Sequence, residues 1–163
     1  MTGRDYRSVA MRVRQEAPEL ARVADRACRA WAAIHPGTDD LLLDAAALNI
    51  HGFYAGLEHV FTVVAERVDG SLPSGANWHQ DLLRQMTAEL PGVRGPVLSS
   101  DLFPALDRYR GFRHVVRNVY AYVLDARLVA VLIADLPQTA AEVDAQLMSF
   151  AAELDAIAEA AGE

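Results

Sequence analysis

A chain of 163 residues, 52% of them hydrophobic, is long enough to bury a core of its own and is most simply one domain over residues 1–163. With 22 acidic residues against 15 basic ones, the formal net charge is -7. That balance excludes a general nucleic-acid coat, which is basic over much of its surface, but not a local phosphate site.

Aromatic residues are only 7%, and the apolar content is largely alanine, leucine and valine, a mixture that suits a helical bundle. No apolar run is long enough to span a bilayer. Met1-Thr2-Gly3-Arg4-Asp5-Tyr6 carries charge where an export signal needs an apolar block, so a cytoplasmic protein with no membrane partner is expected. Cys28 is the single cysteine and lies in an apolar helical pattern, where a buried thiol is expected. Every basic residue is arginine. Genome composition bias is the first reading of that, and a preference for bidentate phosphate geometry the second.

In chain order, Val9, Val13, Leu20, Val23, Ala27, Ala30 and Ile34 recur at three- and four-residue steps, which predicts helix over 4–34, divided in two near Pro18. His35-Pro36-Gly37-Thr38 stops it. Asp39 or Asp40 then caps a long helix through Leu43, Ala47, Ile50, Tyr54, Leu57, Phe61, Val64 and Val68, ended by Gly70. Turn chemistry fills 70–77, and Asn77 caps a short helix from Trp78 to about Leu90. Pro91 to Pro96 breaks the chain again, and Ser99 or Ser100 starts a helix running to about Leu124. The apolar stretch 128–133 is rich in β-branched residues but has no partner strand, and is expected to continue as helix. A last helix covers about Thr139 to Ala160. About five helices in an up-and-down, all-α bundle is the economical arrangement.

The chemistry concentrates in Arg108-Tyr109-Arg110-Gly111-Phe112-Arg113-His114-Val115-Val116-Arg117-Asn118-Val119-Tyr120, which has no carboxylate before Asp125. On a helix, Leu102, Tyr109, Phe112, Val116, Val119 and Val123 share the core side, and Arg110, Arg113, His114, Arg117 and Asn118 share the adjoining arc. Gly111 is the weak point, the place for a kink or a close backbone approach. In an acidic chain this basic island calls for an anionic partner. Elsewhere, Glu58 interrupts an apolar stretch one turn after Tyr54, which predicts that it pairs with and orients an island arginine. Trp78-His79 reads first as an aromatic plug with a polar capping-region neighbour, and second as a substrate contact through His79.

Phosphate-loop, dinucleotide, nucleophile-elbow and Cys-x-x-Cys patterns are absent. The di-iron signature fails too, because Leu48, Gly56, Ala76 and Gly111 stand three residues before His51, His59, His79 and His114. No metal centre and no cofactor are expected. Arginine and histidine without a metal suit RNA cleavage through the 2′-hydroxyl: arginine neutralises charge on the phosphate oxygens, and a second group moves a proton.

The segment from Phe112 to Tyr120 resembles the motif helix of HepT-like toxins in the HEPN superfamily. The resemblance extends to Phe53-Tyr54-Ala55-Gly56-Leu57-Glu58, to Asp69 through Gly75, and to Trp78 through Met86, covering roughly residues 40–125 in order. It implies an all-helical HEPN-like homodimer acting as a metal-independent ribonuclease toxin of a type VII-like toxin–antitoxin pair, with RNA, tRNA being one candidate, as substrate. It also implies a nucleotidyltransferase antitoxin of the MNT type, which in some systems transfers AMP to a motif tyrosine.

The family pattern is Arg, four to six residues, His, one residue, Tyr. Arg113 matches the arginine and Tyr120 the modifiable tyrosine, but Asn118 stands where the histidine belongs. Asparagine donates hydrogen bonds and shuttles no proton. The resulting assignment gives Arg113, His114 and Asn118 the catalytic roles, Arg110, Arg117 and His79 substrate binding, and Glu58 a supporting role. A second register, Arg108 with His114, places Val116 where tyrosine belongs. The Asn118 departure also leaves open a catalytically weak or inactive dimer that binds RNA or the nucleotidyltransferase.

Overall fold

The computed structural model describes residues 2–35, 40–117 and 124–162. Among them the chain forms five helices and no strand, an all-α bundle as the periodicity predicts: α1 (Gly3–Ala32), α2 (Leu41–Val64), α3 (Trp78–Met86), α4 (Phe103–Arg117) and α5 (Ala126–Ala160). None of the described helices is long and apolar enough to cross a membrane.

α1 is one helix of 30 residues and not two, because Pro18 lies on its exposed face while Val13, Ala17, Leu20 and Ala24 carry the buried stripe past it. An interior proline costs about 3 kcal/mol, and packing against α2 and α5 on the other face outweighs it. Cys28 is half-buried rather than enclosed, and burial raises its thiol pKa.

α2 is the central helix, buried on several sides and in contact with each of the other four. It approaches α1 through two glycines: a Cβ on Gly56 would fall 2.7 Å from Leu20 Cδ2, and one on Gly52 3.3 Å from Val23 Cγ1. The helix ends in a π-turn, Ala65–Asp69, closed by Gly70 at φ 67°, where the Ser71 N–H donates back to the Ala65 carbonyl at 2.9 Å.

α3 ends at Met86, earlier than the expected Leu90, because Leu90 and Arg94 exchange two backbone hydrogen bonds of 3.0 Å around a tight turn. That turn is held by a buried ion pair the sequence does not announce. Arg94 Nε and Nη2 each reach an Asp69 carboxylate oxygen at 2.7 Å, while Nη1 and Nη2 also donate to the carbonyls of Ala88, Gly95 and Gln85. All five guanidinium N–H donors are thereby used. α3 is therefore fixed to the end of α2.

A 3₁₀ turn, Ser100–Leu102, leads into α4, whose Leu106, Tyr109 and Phe112 enter the core with Val116 packed beside them, as the helical projection predicts. Gly111 lies within the helix, and among the described residues a Cβ there would meet nothing within 4 Å, so they make no close approach to it. The part of the predicted helix from Asn118 to Val123 lies outside the described residues. Asp125 accepts the Arg127 N–H at 2.9 Å and starts α5. Residues 128–133 are the opening turns of this helix: Val129, Leu132, Ile133 and Leu136 are buried at helical spacing, while Leu128 and Val131 are exposed. Pro137, again on the exposed side, does not interrupt it.

Candidate functional site

Three helices converge on one carboxylate. Glu58, on α2, is buried, and an isolated charge there would cost several kcal/mol unless paired. One of its oxygens receives Arg113 Nη1 from α4, and the other lies 2.8 Å from His79 Nδ1 at the start of α3. The expectation that Glu58 holds an island arginine describes this geometry. His79 belongs to the same cluster, which the plainer sequence reading of Trp78-His79 did not anticipate.

The contact fixes the imidazole's proton. An ionised carboxylate only accepts hydrogen bonds, so Nδ1 must carry the hydrogen, and in the neutral ring Nε2 then bears the lone pair. Arg113 Nη1 lies 3.0 Å from Nδ1 and 3.5 Å from Nε2. Two donors cannot bond each other, so Nη1 and Nδ1 are close neighbours that share Glu58 as acceptor, while Nη1 donates weakly to the Nε2 lone pair at 3.5 Å. Trp78 covers the imidazole, with ring centroids 3.6 Å apart and an interplanar angle of 32°. Side-chain exposure rises outward from 8% at Glu58 to 17% at His79 and 21% at Arg113, which puts the carboxylate beneath two groups that reach the surface.

Below the cluster, Tyr54 is fully buried, and its hydroxyl has no hydrogen-bond partner among the described residues. Burial, with the nearby Glu58 charge, pushes that hydroxyl well above its ordinary pKa. The i,i+4 pair Tyr54 and Glu58 therefore share a face without bonding to each other.

The island is less bare than its sequence. Arg108 pairs with Asp135 of α5 at 2.7 Å, Arg110 with Asp107 one turn before it at 2.6 Å, and Arg113 with Glu58. This corrects the picture of an acid-free ridge: the carboxylates come from α5, from the residue just before the island, and from α2. Asp107 also accepts from Gln80 of α3 at 3.4 Å, so Arg110 sits at the α3–α4 seam beside the cluster. Arg108 reaches toward α5 and not toward Glu58.

His114 and Arg117 occupy the final turns of α4, but their side chains, like the whole of Asn118 and Tyr120, lie outside the described residues. His59 contacts Arg12 of α1 at 3.2 Å and takes no part in the cluster. Among the described residues, no group of three or more histidine, cysteine or carboxylate side chains is placed to hold a metal ion.

A family model described as HepT-like protein matches residues 45–154, from the first turns of α2 to the last turns of α5. The chain belongs to the HepT-like family. As a HepT-like protein of the HEPN superfamily it carries the family's helical bundle, and the Glu58–His79–Arg113 cluster lies wholly inside the matched region. No curated protein and no solved structure matches the chain.

Sequence reasoning missed the buried Asp69–Arg94 pair that ties α3 to the end of α2, and Asp107 and Asp135 as the partners of Arg110 and Arg108. The only local signal was an arginine between glycines in a proline-bounded loop.

Proposed function

We propose that this HepT-like protein is a metal-independent endoribonuclease toxin that cuts RNA, tRNA in particular, with the RNA's own 2′-hydroxyl as nucleophile. The 2′-oxygen attacks phosphorus, the bond to the 5′-oxygen breaks, and the products end in a 2′,3′-cyclic phosphate and a 5′-hydroxyl. Arg113 and Arg117 neutralise the phosphate and Arg110 extends the contact. Asn118 orients the substrate, and a histidine, His114 by the sequence assignment, transfers the proton.

One observation carries the reading: the motif-helix arginine of a HepT-like chain is held near the surface by a buried carboxylate, with an imidazole beside it. That is preorganised positive charge next to a proton-transfer group, which metal-free transesterification requires. The same reading takes the active form as a cytoplasmic homodimer, partnered by an MNT-type nucleotidyltransferase that silences it by modifying Tyr120.

The test is incubation of the purified protein with total tRNA in EDTA, beside Arg113→Ala, with end-group analysis of the fragments. Cyclic-phosphate ends made by the parent and lost in a folded variant support the reading. Intact RNA, with Tyr120 shown by mass spectrometry to be unmodified, refutes it. The second reading, a non-catalytic dimer that binds RNA or the nucleotidyltransferase, draws on Asn118 in the histidine position and on the internal pairing of Arg108, Arg110 and Arg113. It predicts RNA binding that weakens as salt rises, without cleavage.

A further inference from the structure

We propose that His79, oriented by Glu58, and not His114 as the sequence assignment has it, is the catalytic base of this chain, taking the role the motif histidine would have at Asn118. The inference rests on the ribonuclease reading above and names the group that moves the proton.

Four observations lead to His79. Its Nδ1 faces a carboxylate oxygen at 2.8 Å, which leaves Nε2 as the basic nitrogen. The ring is clamped between Glu58 and the Trp78 indole, so Nε2 is held in one orientation. Nε2 lies 3.5 Å from Arg113 Nη1, so a phosphate oxygen bonded to that guanidinium at the usual distance of about 3 Å falls within reach of a group hydrogen-bonded to Nε2. Finally, Glu58 is more enclosed than the two groups it holds, the arrangement in which a carboxylate orients an imidazole from behind while the opposite nitrogen meets substrate.

In the forward step, neutral His79 takes the 2′-hydroxyl proton on Nε2 as the 2′-oxygen bonds to phosphorus. Arg113 offsets the charge on the phosphoryl oxygens. The phosphorus bond to the 5′-oxygen breaks, the 5′-oxygen is protonated by water, and the imidazolium returns its proton to solvent. No co-reactant is consumed. Glu58 is a positioning residue: it keeps the proton on Nδ1 and stabilises the imidazolium as it forms. The charged or titratable groups described around the ring are Glu58 from α2 and Arg113 from α4, with Asp107 and Arg110 at the adjoining seam.

The sharpest variant is His79→Asn, whose amide N–H can still donate to Glu58 but whose side chain accepts no proton at neutral pH. His79→Ala, which opens space for a small base, accompanies it. Both are assayed as full chains, with mass spectrometry showing Tyr120 unmodified and thermal unfolding showing the fold retained. Expected is a fall in kcat of about 10²- to 10⁴-fold for both variants with KM changed little, the usual contribution of one proton-transfer group. Added imidazole should restore part of the rate to His79→Ala, and the control His59→Ala should cleave as the parent does with or without imidazole. Nitrogen-15 NMR of the parent should show the His79 proton on Nδ1, with that preference lost in Glu58→Ala.

Parent-like cleavage by His79→Asn overturns the proposal and leaves the ribonuclease reading standing. So does a loss in His79→Ala that imidazole does not relieve, since it makes the ring's role one of shape. Absence of cleavage by the unmodified parent protein removes the ribonuclease reading and the assignment of His79 with it.

Discussion

Replacing Arg94 by methionine tests whether the α3 end of the site depends on the buried clamp. The guanidinium and its Asp69 partner are 0% and 1% exposed, and Arg94 makes two bonds to the carboxylate and three to backbone carbonyls. Methionine fills much of the volume but supplies no donor. It leaves Asp69 charged and buried with Gln85 as its remaining described donor, at 2.6 Å. Removing one partner of a buried pair costs about 3–5 kcal/mol. That is a large share of the roughly 5–15 kcal/mol by which domains of ordinary stability are folded. Urea unfolding followed by circular dichroism should therefore show a much lower midpoint. Adding Asp69→Leu to Arg94→Met should recover part of the loss, because the orphaned charge is then gone, and the double-mutant cycle should give a coupling of at least about 2 kcal/mol. A loss in Arg94→Met below about 1 kcal/mol, or strict additivity of the two changes, would refute the view that this pair is dry and fixes α3.

The two site-flanking glycines should respond in opposite directions. Gly56→Ala should lower the melting temperature, at a net cost of up to about 1–2 kcal/mol, because the new methyl overlaps the buried Leu20 Cδ2 and moving that side chain outweighs the gain in helix propensity. Gly111→Ala should raise it, through a gain of about 0.5–1 kcal/mol, since the added methyl meets nothing among the described residues and the helix gains propensity. Tyr54→Phe should be neutral or stabilising by about 1 kcal/mol in denaturant unfolding, as it removes a buried hydroxyl without a described partner. Alkali should destabilise the fold from about pH 10 upward. Burial raises the Tyr109 pKa to about 12 and raises that of Tyr54 as well, while unfolded tyrosine titrates near 10. The unfolded chain thus loses these protons first, and stability present below pH 10 is lost as pH rises toward the folded values. Unfolding free energies that stay level through that range would contradict the burial.

Much of the bundle was readable because its helices are amphipathic with a clear period. Tyr109, Phe112 and Val116 take the core side of α4 as their spacing requires. Two of the misplaced boundaries share a cause. Pro18 and Pro137 end helices by local rules, yet both lie on exposed faces of helices whose opposite sides are anchored in the core, so tertiary packing overrides the local penalty. Residues 128–133 look strand-like by composition, but only a helix buries Val129, Leu132, Ile133 and Leu136 together. At the site, Glu58 was conspicuous as a lone charge in an apolar stretch. His79 was not, because nothing local distinguishes a histidine in a helix's first turn from one that a carboxylate 21 positions earlier holds in place.

The pairing of the island arginines changes what kind of phosphate site this can be. A ridge of uncompensated arginines would bind any polyanion by charge alone. Here Arg108, Arg110 and Arg113 each have a carboxylate within salt-bridge distance, and the chain as a whole is acidic. On the ribonuclease reading proposed above, long-range attraction for RNA would be correspondingly weak, and recognition would come from short-range geometry: guanidinium N–H groups fixed in direction beside the His79 imidazole. Such a site stabilises charge where it develops in the transition state more than it binds the ground state, since its groups are already oriented and need no reorganisation. The internal carboxylates therefore trade affinity for preorganisation. On the proposed reading, a weak RNA affinity is compatible with catalysis, whereas a loosened Glu58 is not.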